Sequence, residues 1–344
     1  MASRGLRIAL SIVAAAIFLF LFFRKLDLAE IARHMGEARP IWMVLAIACQ
    51  GLHLLLRSTR WRLLLSPLKP DIRFYGLFSA TAIGYLLSFV FFRIGEVLRP
   101  IMLAQREGIS KTGALATCVL ERLMDLLSVV LLFGFYLIFL FRMPAAGTGA
   151  VDMEQVRRAG LTVGALALLS FPILYLVVHY RHRIFAALDR RGGGGTSLLP
   201  RLLHSFLGGF DVVRGGRVFT WAWLQSIAIW VVITLSIWCS LQAFDLGLSP
   251  GDCLMMLALL NIGIAVPTPG AVGSYEYMGQ LGLVDIFAVE PNRAAAAILV
   301  THALAIGPVI IVGILLVWKE GMSLAGLTRI PAGSAAPGSP EAAP

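Results

Sequence analysis

Long runs of apolar residues limit the folds open to this chain more than any other feature of its sequence. One run, residues 112–141, exceeds the roughly 20 residues that a helix needs to cross a bilayer, and it lacks the alternation of a membrane β-strand. Only 14% of the 344 residues are charged, against about 25% in soluble domains. The sequence therefore predicts an all-α integral membrane protein and excludes a soluble enzyme, a disulfide scaffold and a disordered regulator.

The apolar runs predict a polytopic helical bundle. The predicted spans are residues 6–23, 41–56, 112–141, 160–178, 218–244 and 294–318. Two further segments are interrupted by charged residues, prolines and glycines: 74–103 and 253–288. Arg24 and Lys25, rather than a cleavage site, follow the first run, so we expect a retained helix and not a signal peptide.

Loop charge predicts which side of the membrane each loop faces. Residues 179–217 contain seven arginines and two aspartates, which is typical of a cytoplasmic loop. The segment from residue 57 to 73 is also basic, whereas residues 244–252 carry two aspartates and no basic residue and are expected outside. With both termini in the cytoplasm, the first interrupted segment must enter and leave on the cytoplasmic side, and the second on the outer side. The expected location is the inner cell membrane.

Each interrupted segment is therefore predicted to be a broken, re-entrant helical hairpin. Non-helical backbone must be shielded from lipid, because unpaired amides are costly there. Two such hairpins in corresponding places match the inverted-repeat plan of many transporters. Two ordinary hairpins with loops at the membrane surface remain an alternative. Residues 1–320 are expected to form one membrane domain, and residues 321–344 a disordered tail.

The first interruption is a charged cluster: Arg93, Gly95, Glu96 and Arg99. Charges in an apolar segment are costly unless they are paired or hydrated. The spacing of Glu96 and Arg99 permits an ion pair on one helix face, and arginine is well suited to bind phosphate. A surface loop whose arginines reach the headgroups is the alternative.

A second cluster, Glu121, Arg122 and Asp125, lies about 14 Å along the helix predicted from residue 112. The two acids share one face, and Arg122 alone would leave one of them unpaired. That acid is expected to pair with Arg93 or Arg99, or to carry a proton. A buried packing network is the alternative.

The second interruption holds the third cluster: Asn261, Pro267, Pro269, Gly270, Gly273 and Glu276. Prolines and glycines this close together cannot continue a helix. The chain is therefore expected to restart a helix with Glu276 in its first turn, where free N–H groups offer a site for an anion.

In this order and spacing, the three clusters resemble the lysylphosphatidylglycerol synthase transmembrane-region family, also called the flippase-like domain family. Its motifs read approximately P-x-R-x-G-E-x-x-R, E-R-x-x-D and N…P-x-P-G-G-x-G-x-x-E. Phe91 replaces the first proline and Ala271 the second glycine of the third motif, whereas the second motif is intact. The resemblance covers most of residues 1–320.

The resemblance implies a protein that moves or handles a lipid with a polar headgroup. Anionic or aminoacylated phospholipids, hopanoids and polyprenyl-linked lipids are the candidate substrates, and the residues of the three clusters are the candidate lipid contacts. The aminoacyl transfer of the family's synthases resides in a soluble domain. Only residues 319–344 follow the last span here, so we expect that activity to be absent.

Two other functions remain open. An integral-membrane enzyme acting on a lipid phosphate would find acids and bases here, but the sequence has no nucleophile, metal or nucleotide motif. A non-catalytic partner would recruit a lipid or glycan synthase through residues 179–217. Membrane lipids are the expected partners, and the sequence leaves open whether the protein forms an oligomer. No cofactor or metal is expected. No nucleic acid is expected either, because the net charge of +10 arises in short loops beside apolar spans.

The topology can be tested by cysteine labelling. Cysteines placed at Gly193 and Pro337 are expected to react only from the cytoplasm, and one at Gly247 only from outside. Labelling of residue 193 from outside would overturn the predicted orientation.

Overall fold

The computed structural model describes residues 2–90, 94–140 and 215–322, together with seven isolated positions between residues 158 and 180. Regular structure in these ranges is helical, which confirms the all-α prediction. The helices are α1 (Ala2–Phe23), α2 (Leu28–Gly36), α3 (Pro40–Leu65), α4 (Phe74–Val90), α5 (Ile94–Glu107), α6 (Lys111–Phe135), α7 (Gly216–Gln242), α8 (Asp252–Ala265), α9 (Ser274–Leu281) and α10 (Pro291–Lys319).

Four described helices are long and apolar enough to cross a membrane: α3, α6 with its π-helical extension Tyr136–Leu140, α7 and α10. A fifth span results if α1 and α2, which are bent by 83° at their junction, are counted together. Most of the predicted span at 160–178, most of the loop at 179–217 and nearly all of the tail lie outside the described residues. Helix α2 was not predicted, because its nine residues are too short for a span-length apolar run.

Helix α3 corrects the assignment of two basic residues. The apolar run predicts that this span ends at residue 56, with Arg57 and Arg60 as loop charges. The helix instead continues to Leu65, and both arginines are buried. Inside the protein their charges are compensated by carboxylates, so they contribute nothing to the loop charge. Only Arg62, on the exposed face of the helix end, and the basic residues that follow it support a cytoplasmic loop here.

Each interrupted segment runs into the bundle and returns to the end from which it started. Lys69, just after α3, bonds to Glu107 at the end of α5 at 2.6 Å, so the hairpin of α4 and α5 begins and ends together. At the opposite end, Arg293 near the start of α10 donates to the carbonyl oxygen of Phe244, just after α7, at 3.0 Å. The hairpin of α8 and α9 lies between these two residues. Each hairpin therefore begins and ends at one end of the bundle, and its re-entry from one side of the membrane stays a prediction.

The tips of the two hairpins touch each other. Residues Pro269–Ala271 form a single 3₁₀ turn between α8 and α9, and this turn packs against the end of α4. A side chain on Gly270 (φ 60°) would lie 2.5 Å from the ring of Phe89. One on Gly273 (φ 85°) would lie 2.7 Å from the carbonyl oxygen of Ala15 in α1. Both positions therefore need glycine, for its left-handed backbone and for its lack of a side chain.

The first hairpin is closed by a second close approach of backbones. Gly95 of α5 faces the carbonyl oxygen of Gly84 and the amide of Ser88 in α4, with no room for a side chain. On its two outer sides the hairpin packs against α6 through α5 and against α10 through α4. This packing fixes α5, and the residues that follow Gly95, against the middle of α6.

Gly95→Ala tests the closeness of the hairpin. Its methyl group would lie 2.6 Å from the Ser88 amide nitrogen, so we expect a loss of about 1–3 kcal/mol from overpacking. The loss would appear as a lower thermal unfolding midpoint of the purified protein in detergent. Gly134→Ala in α6 is the matched control, because its methyl group would meet no atom within 4 Å, and the change should be neutral or slightly stabilising. Equal midpoints for the two variants would contradict the close packing.

Candidate functional site

Charged side chains of α3, α5 and α6 meet in the interior of the bundle. Asp125 accepts hydrogen bonds from Arg57 Nη1 at 2.8 Å and from Arg60 Nη1 at 2.6 Å. Glu121 accepts from Arg60 Nη2 at 3.2 Å and from Arg99 Nη2. The side chains of Arg60 and Glu121 are 0% exposed. Because arginine keeps its charge inside proteins, each buried carboxylate has two permanent positive charges beside it.

Arg122 joins this group from its more open side. Its Nη2 lies 3.1 Å from Asp125 Oδ2, and its side chain is 41% exposed. We call the whole group the arginine network: Arg57, Arg60, Arg99, Glu121, Arg122 and Asp125. Its four arginines face two carboxylates, which leaves two surplus positive charges. Nearby Glu96 lowers the local surplus to one. Since surplus charge in an apolar interior is costly, the network attracts an anion.

Uncharged groups complete the network. On α7, Trp230 Nε1 donates to Asp125 Oδ1 at 3.2 Å, and Ser226 Oγ accepts from Arg60 Nη1 at 2.9 Å. The ring of Trp61 lies 4.3 Å from the guanidinium of Arg99. Helices α3, α5, α6 and α7 are therefore all fastened to the same set of charges.

Sequence reasoning found four of the six members of the network and missed Arg57 and Arg60. The expected pairing of a second-cluster acid with Arg99 is confirmed by the contact of Glu121. The signal for the missed pair was present in the sequence. Residues 53, 57 and 60 lie on one helix face, and His53 Nε2 accepts a 2.6 Å hydrogen bond from Arg57 Nε. A polar stripe of this kind at the end of an apolar run indicates that the helix continues and that its polar face is turned to the interior of the protein.

A cavity of about 160 Å³ opens beside the network, between α4, α5 and α6. Its polar lining includes Thr81, Tyr85, Ser88, Glu96, Arg99 and Arg122. The volume is more than ten times the roughly 10–15 Å³ that one water needs. Three buried atoms of these residues have no hydrogen-bond partner within the described ranges: Thr81 Oγ1, Tyr85 Oη and Arg99 Nε. Buried polar atoms are almost always paired, and a ligand or water in the cavity would pair with these atoms only after their side chains had turned toward it.

Glu276 lies in a second buried site. Its Oε1 is 2.5 Å from Nδ1 of His302 in α10, and its Oε2 accepts a 2.7 Å hydrogen bond from the amide of Gly273. The residues that line the cavity do not include Glu276. The depth of Glu276 can be read from its partner His302 on α10. Gly313 of the same helix packs on α4 beside Leu86, and His302 lies about 16 Å before Gly313 along α10. The structure thus brings Glu96 and Arg99 to the cavity and places Glu276 at a separate depth.

The remaining predicted residues of the third cluster shape the turn. Asn261 Nδ2 donates to the carbonyl oxygen of Leu257 at 2.8 Å, while Pro267 and Pro269 are exposed. The amide of Gly273, at the start of α9, is occupied by the chain's own Glu276. Arg93 lies outside the described residues. In the described residues, no group of three or more His, Cys, Asp or Glu side chains is placed to hold a metal ion.

Two comparisons with known proteins bear on this site. The family described as "Lysylphosphatidylglycerol synthase TM region" matches residues 8–313. The glycosyltransferase AglD of Haloferax volcanii is 25% identical over 326 residues, which cover 88% of this chain and 52% of that protein. The chain therefore spans about half the length of this curated relative. The family match includes both hairpins and every member of the arginine network.

Two arginines of α3 offer a matched test of the network. Arg60→Met leaves Glu121 and Asp125 short of a buried counter-charge, and breaking buried pairs of this kind costs about 3–5 kcal/mol. Arg62→Met, two residues away on the exposed face, should cost no more than about 0.5 kcal/mol. Denaturant unfolding in mixed micelles measures both changes. Similar losses for the two variants would show that the buried ion pairs do not hold the bundle together.

Proposed function

The chain belongs to the lysylphosphatidylglycerol synthase transmembrane-region family, and on that premise we propose that it moves a membrane lipid with a polar headgroup between leaflets. The observation that carries the proposal is the cavity beside the arginine network, which combines surplus positive charge with unpartnered polar atoms. A lipid phosphate is the anion best matched to arginine, which binds it through two parallel hydrogen bonds. Arg122 is the best placed to do so, because it is the most exposed arginine of the network.

The cavity also has groups for the rest of a headgroup. Glu96, on the same wall, supplies a negative charge for an amine or hydrogen-bond acceptors for hydroxyls. Ser88, which lines the cavity and is half-buried, supplies a neutral hydroxyl. A headgroup with both a phosphate and a donor group, such as that of an anionic or aminoacylated phospholipid, fits this combination.

The surface around the cavity suits a lipid whose acyl chains stay in the bilayer. Val97 and Val119 line the cavity and are also exposed. An apolar edge of this kind meets hydrocarbon without cost. The headgroup can therefore enter the protein while its chains remain in the membrane.

The hairpins provide a short route across the membrane. Because their tips touch at Phe89 and Gly270, a headgroup in the cavity is separated from the other side by the second hairpin. Loop charge supports an orientation with both termini in the cytoplasm, so that the cavity of the first hairpin would load from the cytoplasmic half of the cell membrane.

A second candidate function is that of a non-catalytic partner for a lipid or glycan synthase. It is favoured by the relative named a glycosyltransferase, half of whose length corresponds to this chain. In that case the arginine network would hold a lipid-linked substrate for a transferase in another chain or domain. Lipid binding without movement would favour this candidate.

Arg122→Gln tests the translocase. We expect lipid movement to fall about tenfold or more, because a charged hydrogen bond contributes about 1.5–3 kcal/mol, while the protein still folds. The assay measures dithionite quenching of fluorescent phosphatidylglycerol in vesicles that contain the purified full chain.

Arg62→Gln is the control, since it removes the same charge from an exposed position near the same end of the bundle. Mass spectrometry of co-purified lipids, with and without Arg122, identifies the bound class. Unchanged rates in the Arg122 variant would count against the cavity as the lipid site. Bound lipid with no movement in the unaltered protein would favour the partner function.

A further inference from the structure

Glu276 and His302 form a buried acid–base pair at the tip of the second hairpin. Their side chains are 5% and 7% exposed. The pair lies about 16 Å from the start of α10, counted along the helix from residue 291 to 302. The ring of Tyr275 stacks on that of His302, with centroids 4.2 Å apart and planes 18° from parallel. The second oxygen of Glu276 accepts a hydrogen bond from the amide of Gly273, so each oxygen of the carboxylate has a partner.

This pair differs from the arginine network in the chemistry of its base. Glu121 and Asp125 face only arginines, which cannot release a proton. Within the described residues, the basic partner of Glu276 is a histidine, and histidine gains and loses a proton near neutral pH. Such a pair can hold a variable number of protons while it remains hydrogen-bonded, and this is the property required of a proton carrier.

We propose that Glu276 and His302 are the proton-binding site that couples proton movement across the membrane to lipid movement. This inference rests on the proposed translocase function and adds its energy source. In each cycle the pair would take a proton from water on one side and release it to water on the other.

The titratable and charged groups on the elements packed against the pair are as follows. The described side chains of α1, residues 9–23, include none. On and around α9 they are Tyr275, Tyr277, Asp252 and Cys253 of α8, and Asp285. On the other helices packed against α10 they are Glu30, Arg33 and His34 of α2, Cys49, His53, Arg57, Arg60 and Arg62 of α3, Tyr75 and Tyr85 of α4, and Arg217 and Cys239 of α7. None of these forms a hydrogen bond or ion pair with Glu276 or His302 in the described structure.

Protonation of the pair has a direct route to the contact between the hairpins. A proton on Glu276 would weaken the hydrogen bond from the Gly273 amide, because a charged acceptor binds more strongly than a neutral one. Gly273 ends the turn whose Gly270 packs on Phe89 of the first hairpin. Binding of a proton to the pair would therefore loosen the turn that separates the two sides of the membrane. This turn packs against the hairpin that holds the lipid cavity.

The first experiment measures transport against a pH gradient. The full chain is placed in vesicles of phosphatidylethanolamine and phosphatidylglycerol, and movement of fluorescent phosphatidylglycerol is followed with and without the gradient. For one proton per lipid, each pH unit should shift the ratio of labelled lipid between leaflets about tenfold, and a protonophore should abolish the shift. Glu276→Gln and His302→Gln should lose this response. His34→Gln removes a histidine that lies beside Glu37 and Glu290 instead of Glu276, so it should respond like the unaltered protein.

Lipid movement that ignores the gradient in the unaltered protein would overturn the proton site and leave the translocase function standing. A gradient response kept by both glutamine variants would also overturn it. If no lipid moves under any condition, the translocase function fails and the proton site is judged by the infrared measurement alone.

The infrared measurement reads the proton directly. The C=O stretch of a protonated carboxylic acid should appear as the pH is lowered. Glu276→Gln should remove this band, Glu276→Asp should shift it, and His34→Gln should leave it unchanged. A spectrum without a band assignable to Glu276 at any pH at which the protein stays folded would contradict the proposal, whatever the lipid assay shows.

Discussion

The compensation of Asp125 by arginines from two helices is the interaction on which the rest of this bundle depends. Arg57 and Arg60 reach it from α3, and a tryptophan reaches it from α7. None of these charges is stable alone in an apolar interior, since a buried ion without its partner costs several kcal/mol. The helices must therefore assemble together, and α3 is obliged to keep its arginines inside the bundle. The same requirement leaves a positive surplus facing the cavity, so the stability of the bundle and its proposed affinity for an anion have one origin.

The two hairpins solve the problem of broken backbone in different ways. In the first, Gly95 lets α5 approach the backbone of α4, and Arg99 is paired with Glu121 of α6. In the second, one oxygen of Glu276 binds the amide of Gly273 in its own turn, and the other binds His302 of α10. The first hairpin thus pairs its charge with arginine-bound carboxylates, where an anion can compete. The second pairs its charge with a histidine, where a proton can change it.

The sequence was sufficient for the features that depend on local composition. Most of the described spans, both breaks and the return of each hairpin to one end of the bundle follow from apolar runs, prolines, glycines and loop charge, although α3 continues nine residues beyond its predicted end. It was insufficient where a long-range partner decides the outcome. Arg57 and Arg60 look like loop charges until Asp125 and Glu121 are brought beside them. His302 likewise looks like an ordinary core histidine, because nothing near it in the chain indicates the carboxylate 26 residues earlier.

The contact of Gly273 with Ala15 and Phe18 in α1 has a consequence for biogenesis. About 255 residues separate these positions, and a ribosome adds roughly 5–20 residues per second. Helix α1 therefore enters the membrane roughly 13–50 s before the turn that packs against it has been synthesised. During that interval its packing face must be covered by lipid or by the insertion machinery. Helix α1 is thus made early but reaches its final neighbours late, and completion of the second hairpin is the step that retains it.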